Sequence, residues 1–366
     1  MSVLAKNPQV IMRGWYIAII MLFLLASLVG SERGISAREE AELAHQLRLD
    51  PELSENGKTQ ANWDQKLLAE STPVQVTTGI YVERIIDLSL PDSSWVADFY
   101  IWFRWDNKEI NPGKGFQIVD GEILKKELIK EVLDTSPAYC LYRVKARITK
   151  FFDIARYPRD DHLLTINIED VEHQVYELQY VPDEASTAVS SRVKLQGYEV
   201  YNKKIVQKFH SYKTDRGEVH KSNVSQDTYS QLIYGIWIKR PGWGNYIKMF
   251  EGLFSAVAVA MLSFFIRTTT TNRISLGVGA FFAAVAATYV ATKNIPNVGI
   301  LTLTDVITGV SMLMVFLVIW HTIIATRLFE IHQDEQMVHR FDMIGFVIFL
   351  ASFVMVNATM VINASI

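Results

Sequence analysis

Four apolar stretches crowd the last third of this 366-residue chain, at about 246–266, 273–292, 302–326 and 342–362. Each is long enough to cross the hydrocarbon core as a helix, which takes about 20 residues at ~1.5 Å apiece. The preceding residues, 31–240, have the mixed polarity of a water-exposed domain. A chain so divided is expected to hold two domains, one in water and one in a bilayer. Arg267 and Arg273 lie between the first two stretches, and Arg327 and Arg340 between the last two. Basic links stay in the cytoplasm, so the polar domain, the Lys293–Thr302 link and the C-terminus are expected outside.

Residues 1–30 agree with that orientation. Lys6 and Arg13 precede an apolar run from Trp15 to Val29. This reads as a signal peptide or a first membrane anchor, and either one exports the polar domain behind it. Residues 31–72 are charged and helix-prone, which predicts a short helix and a linker.

From Pro73 the pattern changes to period two. Val74, Val76, Thr78, Ile80, Val82, Ile86 and Leu88 are expected to share one strand face. After the turn cluster Pro91–Ser94, Ala97, Phe99, Ile101, Phe103 and Trp105 alternate with Asp98, Tyr100, Trp102 and Arg104, a hairpin signature. Residues 110–137 are less regular. Tyr142–Ile148 and Leu164–Ile168 alternate again, and further strands are expected at Val193–Tyr201, Lys204–Lys213 and Thr228–Lys239. Many short strands separated by turns predict a β-sandwich over 73–240, followed by a four-helix transmembrane domain over 241–366.

The second apolar stretch, Asn272 to Lys293, differs from the others. It is built largely of Ala, Gly, Ser and Thr, which let helices approach closely inside a membrane. Helical steps of three and four collect Asn272, Ser275, Gly279, Phe282, Ala286, Tyr289 and Lys293 on one side. That stripe, polar at its ends and bulky in its middle, is expected to face an aqueous pore or to pack against other protein.

Some classes are excluded or disfavoured. The net charge of −3 leaves no nucleic-acid footprint. A single cysteine, Cys140, forbids an internal disulfide and a cysteine-rich metal site. No nucleophile constellation, metal cluster or phosphate loop appears, so neither catalytic residues, a metal nor a cofactor is expected.

The order of these parts resembles the pentameric ligand-gated ion channels, the Cys-loop receptor superfamily, over roughly 73–362. Gly79-Ile80-Tyr81-Val82 through Ala97-Asp98-Phe99-Tyr100 is similar to the family's first hairpin. Phe151-Phe152-Asp153-Ile154-Ala155-Arg156-Tyr157-Pro158-Arg159-Asp160 resembles its signature loop, with an aromatic-Pro-x-Asp core. Ile238-Lys239-Arg240-Pro241 resembles the junction before the first channel helix, and Asn294-Ile295-Pro296 the link between the second and third. Lys150 and Leu164 stand where animal members carry the loop disulfide, which resembles the prokaryotic branch. The first channel helix lacks a proline, and the intracellular segment shrinks to about 328–341. The sequons at Asn223, Asn357 and Asn363 then read as chance.

The resemblance implies a homopentamer in a cell membrane, with five copies of 272–293 around a central pore for inorganic ions and Phe282 as the gate. Without a carboxylate ring near Asn272, anion permeation or weak selectivity is expected. It implies an agonist site between neighbouring sandwiches: Tyr212 and Tyr229 flank a loop at about Asp215–Gln226, Glu169 and Asp170 stand nearby, and Tyr100 and Trp102 come from the neighbour. Aromatic faces with carboxylates suit a small organic cation. Protons acting through His162, His173, His210 or His220 are a second stimulus. Asp160, Arg240, Asp87 and Pro296 are implied in coupling the sandwich to the channel helices. The rival class is a membrane-anchored sensor of the same fold that does not conduct.

Overall fold

The structure is a computed structural model that describes residues 7–53, 71–107, 109–212, 228–270, 272–293, 295–296 and 299–365. The chain divides into two compact units. One is helical and comprises residues 1–40, 154–160 and 242–366; the other comprises residues 41–153 and 161–241 and contains the strands.

The second unit is built on two sheets. The six-stranded sheet takes the order β4-β5-β2-β1-β7, with β8 also paired to β1. Its strands are β1 (Val74–Ser89), β2 (Ser94–Trp105), β4 (Gly121–Val132), β5 (Ala138–Thr149), β7 (Leu178–Pro182) and β8 (Ala188–Val189). The four-stranded sheet is β3 (Phe116–Ile118), β6 (Asp161–Asp170), β10 (Thr228–Lys239) and β9 (Glu199–Ser211), in that order. The alternation expected in β2 is present: Ala97, Phe99, Ile101, Phe103 and Trp105 are all buried. In β1 it holds only from Val76 to Val82. Register shifts between Val82 and Arg84 and between Ile85 and Asp87 put Ile85 inside and leave Ile86 exposed. A bulge adds an unpaired residue, so every later side chain changes face.

Two other strand expectations need revision. Residues 121–132, irregular by pattern, form the twelve-residue β4; all of it is exposed or half-buried, so no apolar face marks it. Conversely, residues 193–198 form no strand, only an isolated bridge between Leu195 and Tyr198; β9 is one strand starting at Glu199.

Among the described residues, five helices are long and apolar enough to cross a membrane. They are α1 (Pro8–Leu49), α2 (Gly244–Met261, prolonged by a 3₁₀ turn over Leu262–Phe265), α3 (Asn272–Thr292), α4 (Leu303–His332) and α5 (Glu335–Ala364). The expected short helix after residue 31 is instead the continuation of α1, which runs unbroken for 42 residues; residues 54–70 lie outside the described residues. The expected segment at 328–341 is almost wholly helical too. Only Gln333, in the left-handed conformation that ends α4, and Asp334, which caps α5 by accepting from the Met337 amide, separate the two helices.

The bundle core joins Phe250, Leu253 and Val257 of α2, Ala280 and Ala284 of α3, Met314 and Val318 of α4, and Phe349 and Val356 of α5. Ile19 and Phe23 of α1 belong to the same core. Residues 154–160 are bonded into this unit. At the start of α4, capped by Thr302 and Asp305, the Leu303 amide donates to Ala155 O (2.8 Å), and Thr304 donates from Oγ1 to Tyr157 O (3.0 Å). Arg159 donates to the Gly242 carbonyl (2.7 Å) and to Ser365 (3.0 Å) and lies over the Trp243 ring. These bonds explain why residues 154–160 leave the strand unit that flanks them in sequence.

Candidate functional site

Helix α3 is packed on one side only. Arg273, Gly277, Ala280, Ala284 and Ala291 are buried. Gly277 lets α4 approach closely: a Cβ there would come within 2.6 Å of Ile319. All seven residues of the stripe lie on the other side and are exposed within the chain: Asn272, Ser275, Gly279, Phe282, Ala286, Tyr289 and Lys293. Phe282 is 69% exposed and Tyr289 73%. The open arc also includes Ile274, Val278, Val285 and Val290. Around Gly279 a Cβ would meet nothing within 4 Å.

A polar centre at the start of α3 is not visible in the sequence pattern. Arg273 reads in sequence as one of the basic links, yet it is 1% exposed. Its Nη2 donates to Asp342 Oδ1 of α5 at 2.5 Å. The same oxygen lies 3.2 Å from Nε2 of His321 of α4, and the indole of Trp15 of α1 donates to His321 Nδ1 at 3.0 Å. Three helices therefore meet at one carboxylate, and a fourth, α1, reaches it through His321. Arg273 Nε and Nη1 have no partner among the described residues. The only signal in the sequence was an isolated Asp and His at the ends of apolar stretches, where ionisable residues are rare and functional by default.

In the sandwich unit, Glu169 gathers several of the expected ligand residues. It is fully buried. Tyr212 donates its hydroxyl to Oε2 (2.8 Å), Gln231 donates Nε2 to Oε1 (2.8 Å), and His210 Nδ1 lies 2.6 Å from Oε1. The Tyr212 ring packs on His210 and edge-on against Tyr229, with centroids 4.3 and 5.7 Å away. Strand register explains the grouping: Gln231 pairs opposite Glu169, and Tyr229 opposite His210. Asp170 is turned to a different task. Its Oδ1 accepts from the Glu172 and His173 amides and meets the His173 ring, which folds the turn after β6. The expected loop at 215–226, with His220, lies outside the described residues.

Tyr100 and Trp102 stand on β2, in the other sheet, with partners of their own. Trp102 lies against Gly79, where a Cβ would come within 2.2 Å of the indole, and donates to Asp183 (3.0 Å), which also takes Arg104 (2.6 Å). Tyr100 faces the Arg143 guanidinium, 5.6 Å from its ring centre. Arg143 in turn joins Arg84 on the buried Asp98. Those guanidiniums, Arg143 first, hold the Asp98 carboxyl below the usual carboxylate range.

Of the remaining residues, His162 is buried between the rings of Phe152 and Tyr198. Arg240 donates to the Tyr198 hydroxyl (2.6 Å) and stacks over its ring. Asp160 is buried, Pro296 half-buried and Asp87 exposed.

No protein-family model matches this chain, and no curated protein matches its sequence.

Proposed function

We propose that the protein is a homopentameric, ligand-gated ion channel in a cell membrane, with its sandwich on the outer side. The observation that carries the reading is the open stripe of α3. An apolar helix whose inner side is locked by small residues, and whose outer side runs Asn-Ser-Gly-Phe-Ala-Tyr-Lys, is unlike a lipid-facing span rich in Leu and Ile. Five such stripes around an axis give a pore with polar ends and a ring of Phe282 in the middle. That ring closes the pore by dewetting, and the Tyr289 ring narrows it further outside. The residues left open beside the stripe are the surface that neighbouring subunits would cover.

Asp342 neutralises Arg273, so the stripe's own ends, Asn272 and Lys293, dominate the field along the pore. Without a carboxylate ring, anions are favoured or discrimination is weak. The agonist is assigned to the cluster around Glu169, Tyr212 and Tyr229, completed by Tyr100 and Trp102 of a neighbour. It is an organic cation, or a proton taken up beside Glu169 at His210. Asp170 serves through its turn. Asp160 and Arg240, with Asp87 and Pro296, carry the signal to the helices. Asp160→Asn and Arg240→Gln should then alter gating non-additively while pentamers still assemble.

The test is current from the purified protein in planar bilayers. Wild type should conduct on stimulation, and Phe282→Ala should conduct without it. Reversal potentials in asymmetric salt read the selectivity, and a strong cation preference overturns that assignment. If wild type and Phe282→Ala are both silent, the protein is a sensor rather than a channel.

A further inference from the structure

The side of α1 that faces the bundle is a continuous helical stripe: Trp15 and Tyr16, then Ile19, Phe23, Ser27, Gly30 and Gly34. Ile17, Met21, Leu25 and Leu28 on the opposite side are exposed, as expected of a helix that meets lipid. The stripe is matched to its neighbours by chemistry as well as by shape. Tyr16 donates to the Phe341 carbonyl (2.8 Å), and the hydroxyls of Ser27 and Thr359 are 2.8 Å apart. Gly30 and Gly34 form a Gly-x-x-x-Gly face against the end of α5. A Cβ at Gly30 would come within 2.3 Å of Met360, and one at Gly34 within 3.3 Å of the Ala364 backbone. Such small-residue faces bring membrane helices together. A leader peptide that is removed has no use for bonds matched to the mature bundle. The far end of α1 is held as well: in the strand unit, Lys208 donates Nζ to the Leu47 carbonyl (3.0 Å), and Leu49 is buried with Leu163, Val206 and Ile233.

Trp15 also decides a proton position. An indole N–H only donates, so His321 Nδ1 must accept, and the ring proton sits on Nε2, facing Asp342. The relay runs from Trp15 to His321 to Asp342, which receives Arg273 from the other side. Around His321 are Trp15 of α1, Phe264 after α2, Arg273 of α3, and Phe341, Asp342 and Phe349 of α5, with Tyr16 of α1 lying against Phe341; of these described groups Arg273 and Asp342 carry charge. A doubly protonated His321 would set its Nδ1–H against the indole N–H, donor against donor.

We infer that α1 is retained as a fifth membrane helix, and that Trp15 on it is a positioning residue. Through His321 it keeps Asp342 on Arg273 at the base of α3. Neither retention nor the relay rests on the channel reading above.

The experiment uses the full chain purified from membranes. Its intact mass should include α1; a mass lacking the first 30 or so residues overturns retention. In a Cys140→Ser background, Ser27→Cys with Thr359→Cys should form an intrachain disulfide, and failure to cross-link also counts against the packing. The relay is read from melting temperature against pH, with no need of current. Trp15→Phe should melt below wild type at pH 8, and the gap should narrow towards pH 5, because the variant no longer opposes protonation of His321. Gln offers the same acceptor and donor without titrating, so Trp15→Phe in a His321→Gln background should lose that pH dependence. A gap independent of pH in Trp15→Phe alone overturns the positioning role. If α1 is present and the relay responds, yet no variant passes current, the channel reading fails and this inference stands.

Discussion

Glu169 in the sandwich unit and Asp342 in the helical unit are both buried carboxylates that meet a histidine, yet they are satisfied in different ways. Glu169 takes three hydrogen bonds, from Gln231 on the adjacent strand β10 and from His210 and Tyr212 on and just after β9, the next strand of the same sheet. None of these donors needs to be charged. Asp342 takes a full guanidinium charge from Arg273, itself 1% exposed and with two further donors unpaired among the described residues. The first carboxylate is a matter of hydrogen bonds, and the second a matter of charge balance where water cannot help. Losing a bond at the first and losing the charge at the second should therefore differ in cost.

The largest effect tests that difference directly. Asp342→Asn strands Arg273 and should cost about 3–5 kcal/mol, seen as a collapse in folded yield and melting temperature. Replacing both partners, Arg273→Met with Asp342→Leu, should recover most of the loss. A double variant no better than the single would show that Asp342 does not balance Arg273. Glu169→Gln keeps shape and removes charge, and should cost about 1–3 kcal/mol in the melting of the sandwich unit. A loss as large as that of Asp342→Asn would erase the distinction.

Asp98 is an intermediate case: a buried carboxylate whose partner Arg84 is 62% exposed. Its cations can turn to water, so Asp98→Asn should cost about 1–2 kcal/mol at neutral pH. The folded carboxyl titrates below its ordinary value. The pair's stability is therefore fully present above about pH 4 and is lost as pH falls from there through the lower folded value. The gap between wild type and Asp98→Asn should close on acidification across that window, and a gap that stays open would show that the pair contributes no such stability. The last effect belongs to a cation crowded by another. Burial, and then Arg48, push the Lys150 ammonium down to about 8. Between about pH 8 and 10.4 the unfolded chain binds more protons than the folded one, so wild-type stability rises with pH there. Lys150→Met should melt above wild type at pH 7, and the gain should vanish by about pH 10.4. A gain that persists to high pH would mean that packing, not charge, is responsible.

Much of the fold was legible because local geometry writes it into the chain. A strand with one buried side must alternate, as Ala97 to Trp105 do, and a helix with one packed side must step by three and four, as the α3 stripe does. The legibility ended where local geometry stopped being informative. β4 buries no side chain and so shows no alternation. The bulges in β1 change the face of Ile85 and Ile86 without any change in composition. The turn at Gln333 and Asp334 joins two helices without the Gly or Pro that usually marks such an end.

By itself, the sequence determined which stretches are long and apolar enough to cross a membrane and which have mixed polarity, the periodic faces of its strands and helices, and the stripe from Asn272 to Lys293. Hydropathy and period belong to short stretches, and each residue contributes to them independently of distant neighbours. Only the tertiary structure decided which side chains meet. Gln231 finds Glu169 through the register of two strands, and Arg273 finds Asp342 across 69 positions of sequence. It also brought Trp15 to His321 and Gly30 to Met360. Such pairings depend on the packing of whole elements against one another, and no periodic pattern within a single element records the identity of its partner.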